Sequence, residues 1–167
     1  MPHPSKKSIL TAKHAPAIGE LVLAISELES VVTDLISILA GSNILATLVM
    51  VHHQQTSSKL QNLLTLAHGH FGSDPETQPI ISKIKEAQDV ADFRNTVVHA
   101  YWTIDTDGTP LAVRFYARGE FKRTRRPISA EEIQGRADEA RDLTQWLADL
   151  RNHLLKDTPE PHVTMGG

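Results

Sequence analysis

The chain is predicted to be mainly α: a four-helix bundle with a β-hairpin inserted between its third and fourth helices. Two observations predict this. Four segments carry apolar residues at three- and four-residue spacing, separated by breaks rich in Gly, Ser, Asn, Asp or Pro. Between the last two segments, two short β-prone runs flank a turn-forming Asp107-Gly108.

Residues 1–16 hold two early prolines with scattered Lys and Ser, and are expected to form a flexible arm. The first helix is expected from Ala17. From there Ile18, Leu21, Val22, Ile25, Leu28, Val31, Val32, Leu35, Ile38 and Leu39 recur at helical spacing. Gly41-Ser42-Asn43 then ends that helix and offers an N-cap for the next, expected over 44–68. This second helix starts apolar on nearly every side, as a helix does when sandwiched between neighbours or between two subunits. From Gln54 to Lys59 it turns polar.

Residues 69–79 form a loop, in which Asp74-Pro75 can cap and begin the third helix, with Pro79 tolerated in its first turn. That helix carries Ile80, Ile81, Ile84, Ala87, Val90, Ala91, Val97 and Val98, and ends near Tyr101. The runs 101–105 and 111–117 pair as the hairpin, and 118–127 follows as an exposed basic loop. Ser129-Ala130-Glu131-Glu132 is a capping box that opens the last helix. Ile133, Ala137, Ala140, Leu143, Leu147, Leu150 and Leu154 give that helix a single apolar stripe. One helical domain is therefore expected over 17–155, with the hairpin and basic loop at about 101–127 and a tail over 156–167.

At 167 residues the chain suits one domain with a sizeable core. Its net charge of -3 supplies no global attraction to polyanions, so any such binding must come from a local patch. Having no cysteine, it has no disulfide, thiolate metal site or cysteine nucleophile. The apolar run 44–51 is far short of the roughly twenty residues that span a bilayer, and 1–17 lacks a signal-peptide core. A soluble, cytoplasmic protein without membrane partners is expected.

Chemistry concentrates in Arg94-Asn95-Thr96-Val97-Val98-His99, followed by the aromatic pair Tyr101 and Trp102. Asn95 and His99 are four apart and share a helix face, and Arg94 lies one position round with a side chain long enough to reach the same spot. A fixed cation, an amide and an imidazole thus converge near the end of a core helix. Left to structure alone, Arg94 and His99 would simply favour a helix C-terminus.

This hexapeptide resembles the Arg–polar–x–x–x–His signature of the HEPN superfamily, helical bundles named for higher eukaryotes and prokaryotes nucleotide-binding. The order of long helices around it is also similar, over roughly 17–155. Many HEPN proteins are metal-independent endoribonucleases, often toxins or antiviral effectors; others are non-catalytic partners or nucleotide binders. The resemblance implies a homodimer with RNA bound at a shared cleft, no metal or other cofactor, and, for a toxin, an antitoxin protein as a further partner. His99 would act as general base or acid, Arg94 would clamp the scissile phosphate, and Asn95 would orient the phosphate or His99. The competing expectation is a non-catalytic dimer of the same shape that binds a nucleotide, RNA or a protein.

A second feature is the basic set Arg114, Arg118, Lys122, Arg123, Arg125 and Arg126, interleaved with Phe115, Tyr116 and Phe121. Such a surface suits a phosphate backbone and stacked bases. It could equally be a solvated charge run balanced by Glu131, Glu132, Asp138, Glu139 and Asp142. His52-His53 and His68-Gly69-His70 lack the spacing of a metal site, since adjacent helical side chains point about 100° apart. His52 or His53 could nevertheless share a groove with His99. Thr56, Ser57 and Ser58 are hydroxyls with no evident base partner.

Overall fold

A computed structural model describes residues 9–72, 74–118 and 120–157, with the side chains of 116–118, 120–122 and 157 outside the description. The chain is mainly helical with a small antiparallel sheet. In order it forms α1 (His14–Leu39), α2 (Ile44–Val51), α3 (Thr56–Phe71), a 3-10 turn (Pro75–Thr77), α4 (Gln78–His99), β1 (Tyr101–Ile104), β2 (Pro110–Arg118), β3 (Glu120–Pro127) and α5 (Ala130–Asp157).

Helix α1 begins at His14, three residues before the expected Ala17, because Pro16 fits a first helical turn and His14 is anchored. The His14 ring is buried. Its Nδ1 lies 2.7 Å from Thr11 Oγ1, its Nε2 lies 3.0 Å from the Ile128 carbonyl, and it meets Trp102 edge-on. Gly41, at φ 60, makes the left-handed exit from α1, and the Asn43 side chain caps α2 by accepting from the Leu45 N–H.

The helix expected over 44–68 is two helices. Gln55 is extended, so the axis breaks between α2 and α3. A tertiary bond outweighs local continuity here, since Thr56 in the first turn of α3 gives its hydroxyl to Glu29 of α1. Asp74 caps the 3-10 turn, Pro79 sits in the first turn of α4, and Ser129 Oγ accepts from the Glu132 N–H at the start of α5.

The hairpin is one edge of a three-stranded sheet ordered β1-β2-β3. The expected basic loop is strand β3, paired with β2 from Leu111↔Pro127 to Arg118↔Glu120. Without it β2 would present an open edge, and a short charged strand is a common cover for one. Gly108, at φ 87, turns β1 into β2.

Helices α1, α3, α4 and α5 contribute to one core, in which Leu21, Ile25, Leu28, Leu35, Leu60, Leu63, Ile84, Ile133 and Leu147 are fully buried. Each such side chain contributes about 1.5–3 kcal/mol through burial. The sheet joins that core through Ala112 and Trp102, whose Nε1 donates to the Val97 carbonyl at 3.2 Å. Helix α2 stays largely outside it. Leu45, Val49 and Met50 are 69%, 80% and 75% exposed. No single helix among the described residues is long and apolar enough to cross a membrane.

Candidate functional site

Helix α4 buries Val90, Ala91, Phe93 and Val97 and turns its remaining face outward. Arg94 and Asn95 lie half-buried on that face, and His99 is exposed at its last turn. The three line one cleft of about 480 Å³. Opposite them stand Glu29 of α1, Gln54 and Gln55 of the α2–α3 turn, Thr56 of α3, and Arg114 of β2. Parts of the chain far apart in sequence thus meet at the hexapeptide.

Arg94 Nη1 donates to Asn95 Oδ1 at 3.0 Å. Its Nε is buried and has no hydrogen-bond partner among the described residues. A buried guanidinium N–H without an acceptor is costly, and an anion arriving in the cleft would relieve that cost. Arg114 reaches the same cleft from the sheet, donating from Nη1 to Thr96 Oγ1 at 3.0 Å.

Among the described residues, Glu29 is the one carboxylate lining the cleft. Lys59 Nζ, almost fully buried, meets its Oε1 at 2.5 Å, and Thr56 Oγ1 donates to its Oε2 at 2.7 Å. Burial pushes the Glu29 carboxyl up. The hydrogen bonds from Lys59 and Thr56, with the charges of Lys59 and Arg94, outweigh that and hold it below its usual range. Gln54 is fixed as well, its Oε1 accepting from Asn62 Nδ2 at 2.8 Å.

The described members of the basic set divide between the two faces of the sheet. Strand alternation puts Arg114 and Arg126 on the face of the sheet opposite Arg123 and Arg125. Arg126 pairs with Glu132, and its guanidinium sits 5.6 Å over the Phe93 ring, with Arg136 also over that ring at 5.4 Å. Arg123 and Arg125 are exposed, on the face that carries Tyr101 and Phe115. The side chains of Arg118 and Lys122, like those of Tyr116 and Phe121, lie outside the described residues.

Among the described residues, the other histidines do not line the cleft. His52 and His53 meet edge-on at 5.1 Å, and His52 lines a neighbouring cavity with Ser26, Thr33 and Asp34. Neither lines the cleft with His99, because α2 ends before the turn that Gln54 and Gln55 bring to it. Thr56 does have a partner, in Glu29. The pair Glu29 and Lys59 was not foreseen: it joins positions thirty residues apart, and the only local hint is a polar residue beside buried Leu28 and Leu60. Among the described residues, no group of three or more His, Asp or Glu side chains is placed to hold a metal ion.

The arrangement suits an anion. It offers two guanidinium groups, an exposed imidazole at the lip, and the amides of Asn95, Gln54 and Gln55. No family model, curated protein or solved structure matches the chain.

Proposed function

We propose that the chain is a HEPN-like four-helix bundle acting, as a homodimer, as a metal-independent endoribonuclease of the toxin or defence-effector kind. The observation that carries this is the convergence of Arg94, Asn95, His99 and Arg114 on one cleft. In this reading the scissile phosphate sits against the Arg94 guanidinium, whose buried Nε gains an oxygen acceptor. His99 takes the proton from the 2′-hydroxyl, whose oxygen attacks phosphorus as the bond to the 5′-oxygen breaks. The products are a 2′,3′-cyclic phosphate and a 5′-hydroxyl. Asn95, bonded to Arg94, holds the guanidinium across the phosphate. Arg114 adds a second cation as charge develops on phosphorus.

One imidazole cannot take a proton and give another in the same instant. A two-fold dimer would bring a second His99 to the leaving oxygen. The exposed apolar residues Leu45, Val49 and Met50 of α2 are suited to such a contact. RNA would continue over the outer face of the sheet, where Tyr101 and Phe115 offer rings and Arg123 and Arg125 offer charge. An antitoxin protein would be a further partner, and the cytoplasm the setting.

Labelled single-stranded RNA incubated in excess EDTA tests this. Wild type should yield fragments ending in 2′,3′-cyclic phosphate, and His99→Ala and Arg94→Ala should slow cleavage by roughly 10²–10³-fold. Cleavage at the wild-type rate by both variants would refute the assignment. A second reading, a non-catalytic dimer that binds a nucleotide, RNA or a protein, is favoured by the presence of His99 as the single imidazole lining the cleft among the described residues. Arg94-dependent binding without cleavage by a verified dimer would select it.

A further inference from the structure

Resting on the reading of the cleft as a phosphate site, we infer that the cavity beside it seats the nucleobase attached to that phosphate, with Gln54 and Asn62 reading the edge of the base. This cavity, of about 530 Å³, lies between the end of α1, helix α2 and helix α3. Gln54 lines both it and the cleft that holds Arg94, so the two spaces meet at one side chain. A ligand with an anionic end and a flat ring one sugar away matches that pair of spaces.

Helix α2 packs loosely over this part of the fold. Of its eight residues only Thr47 and Val51 are buried. Ile36, Val51 and Leu66 give the cavity apolar walls from three helices. Its size, and a mainly apolar lining with a few polar groups, are those of a small-ligand pocket.

The polar groups in that lining are not equally free. The Ser42 and Thr47 hydroxyls bond each other at 2.6 Å, and Thr65 gives its hydroxyl to the Gln61 carbonyl at 3.0 Å. The two amides keep spare capacity. Asn62 Nδ2 donates to Gln54 Oε1 at 2.8 Å, and Gln54 Nε2 donates to the Met50 carbonyl at 3.4 Å. Each NH2 group has a second hydrogen, and Asn62 Oδ1 accepts no hydrogen bond among the described residues. Their mutual bond holds both side chains, so donors and an acceptor stand together where the cavity borders the cleft. Neighbouring donors and acceptors are what a base edge presents, and amide side chains are common partners for it. Apolar side chains can carry the faces of the ring. A purely apolar occupant would instead leave the amides unpaired. In an RNA, this seat makes cleavage selective for the base beside the scissile phosphate.

NMR titration of the isotope-labelled full chain with AMP, CMP, GMP, UMP and ribose 5-phosphate tests this. Ribose 5-phosphate carries the sugar and the anion without a base. At least one of the four nucleotides should bind about tenfold more tightly than ribose 5-phosphate. Thr65→Trp fills the cavity from an exposed position of α3, and Ala40→Trp fills it from the end of α1. Each should remove that advantage and leave ribose 5-phosphate binding unchanged. Asn62→Leu should narrow the spread among the four nucleotides. Arg94→Ala should weaken nucleotides and ribose 5-phosphate alike.

Nucleotides that bind no more tightly than ribose 5-phosphate, while Arg94→Ala weakens both, would overturn this inference alone. A base advantage that survives either tryptophan, in a protein that melts like wild type, would place the base elsewhere and also overturn it. An unchanged order of affinities in Asn62→Leu would overturn the role given to the amides. Binding that ignores Arg94→Ala would overturn the phosphate reading and this inference with it.

Discussion

Arg114 and Thr96 join the sheet to the motif helix: Nη1 of the arginine donates to the threonine Oγ1 at 3.0 Å, and that hydroxyl donates in turn to the Asp92 carbonyl at 3.0 Å. Thr96 lies two residues beyond Arg94, so the bond fixes the middle strand beside the hexapeptide. The sheet is thereby a wall of the cleft rather than an appendage to the helices. With β2 held at this height along α4, Arg114 brings a second guanidinium to the site.

Thr96→Val should therefore weaken anion binding without touching the cleft lining. Valine keeps the β-branched shape but loses the acceptor, and a hydrogen bond from a charged donor contributes about 1.5–3 kcal/mol when well formed. Arg114 is half-buried, so a loss at the lower end is expected, about tenfold in affinity for single-stranded DNA. Fluorescence titration measures it. Unchanged affinity in Thr96→Val, alongside a loss in Arg114→Met, would show that other contacts hold Arg114 in place.

The basic residues of β3 should divide into two classes. Exposed Arg123 and Arg125 should contribute to the salt dependence of single-stranded nucleic-acid binding. Replacing both with alanine should flatten log K against log salt by about 1.4, at roughly 0.7 for each phosphate contact. Arg126, engaged with Glu132 and stacked over Phe93, should leave that slope alone when replaced and lower the melting temperature instead. The opposite pattern would place the nucleic-acid track on the inner face of the sheet.

The helices were legible in sequence because amphipathic periodicity is a local property. Leu21, Ile25, Leu28, Ile133 and Leu147 all sit where their spacing put them. The hexapeptide was legible for the same reason, since Asn95 and His99 share a face of one helix. What escaped was settled at long range. The break at Gln55 depends on a bond from Thr56 to Glu29, and the strand at 120–127 depends on the open edge of β2. A run such as Phe121-Lys122-Arg123-Thr124-Arg125-Arg126 is loop-like by charge, and becomes a strand once a partner supplies the ladder. Arg126 looked equivalent to Arg125, and alternation sends the two to opposite faces.

Acid should unfold the chain partly through Glu29. Its carboxyl in the folded protein is held below the ordinary value of 4.5, so as pH falls the unfolded chain takes up the proton first. The stability it contributes is complete above about pH 4.5 and is lost as pH falls through the lower folded value. Asp107 and Glu131 are also held low, the first mainly by the Thr109 N–H and the second mainly by its own backbone N–H. The test is therefore a difference. Denaturant melts of wild type and Glu29→Gln between pH 6 and 3 should converge as pH falls, with wild type the steeper. Parallel curves would mean that Glu29 titrates alike in both states.

Helix α2 supplies the test of the dimer. Leu45 and Val49 are four residues apart, on one face, and 69% and 80% exposed, so neither supports the fold of a single copy. Water-facing leucine and valine at that spacing gain nothing in a monomer, and burial against a second copy would recover about 1.5–3 kcal/mol for each side chain. Leu45→Glu with Val49→Glu should then convert a dimer into a monomer in sedimentation equilibrium, while helix content and melting temperature at low concentration stay close to wild type. If the cleft needs a second His99, RNA cleavage should fall with dimer occupancy and recover at high protein concentration in milder single variants. A double variant that stays dimeric would move the contact to another surface. A clean monomer that still cleaves at the wild-type rate would show that one copy carries both proton transfers.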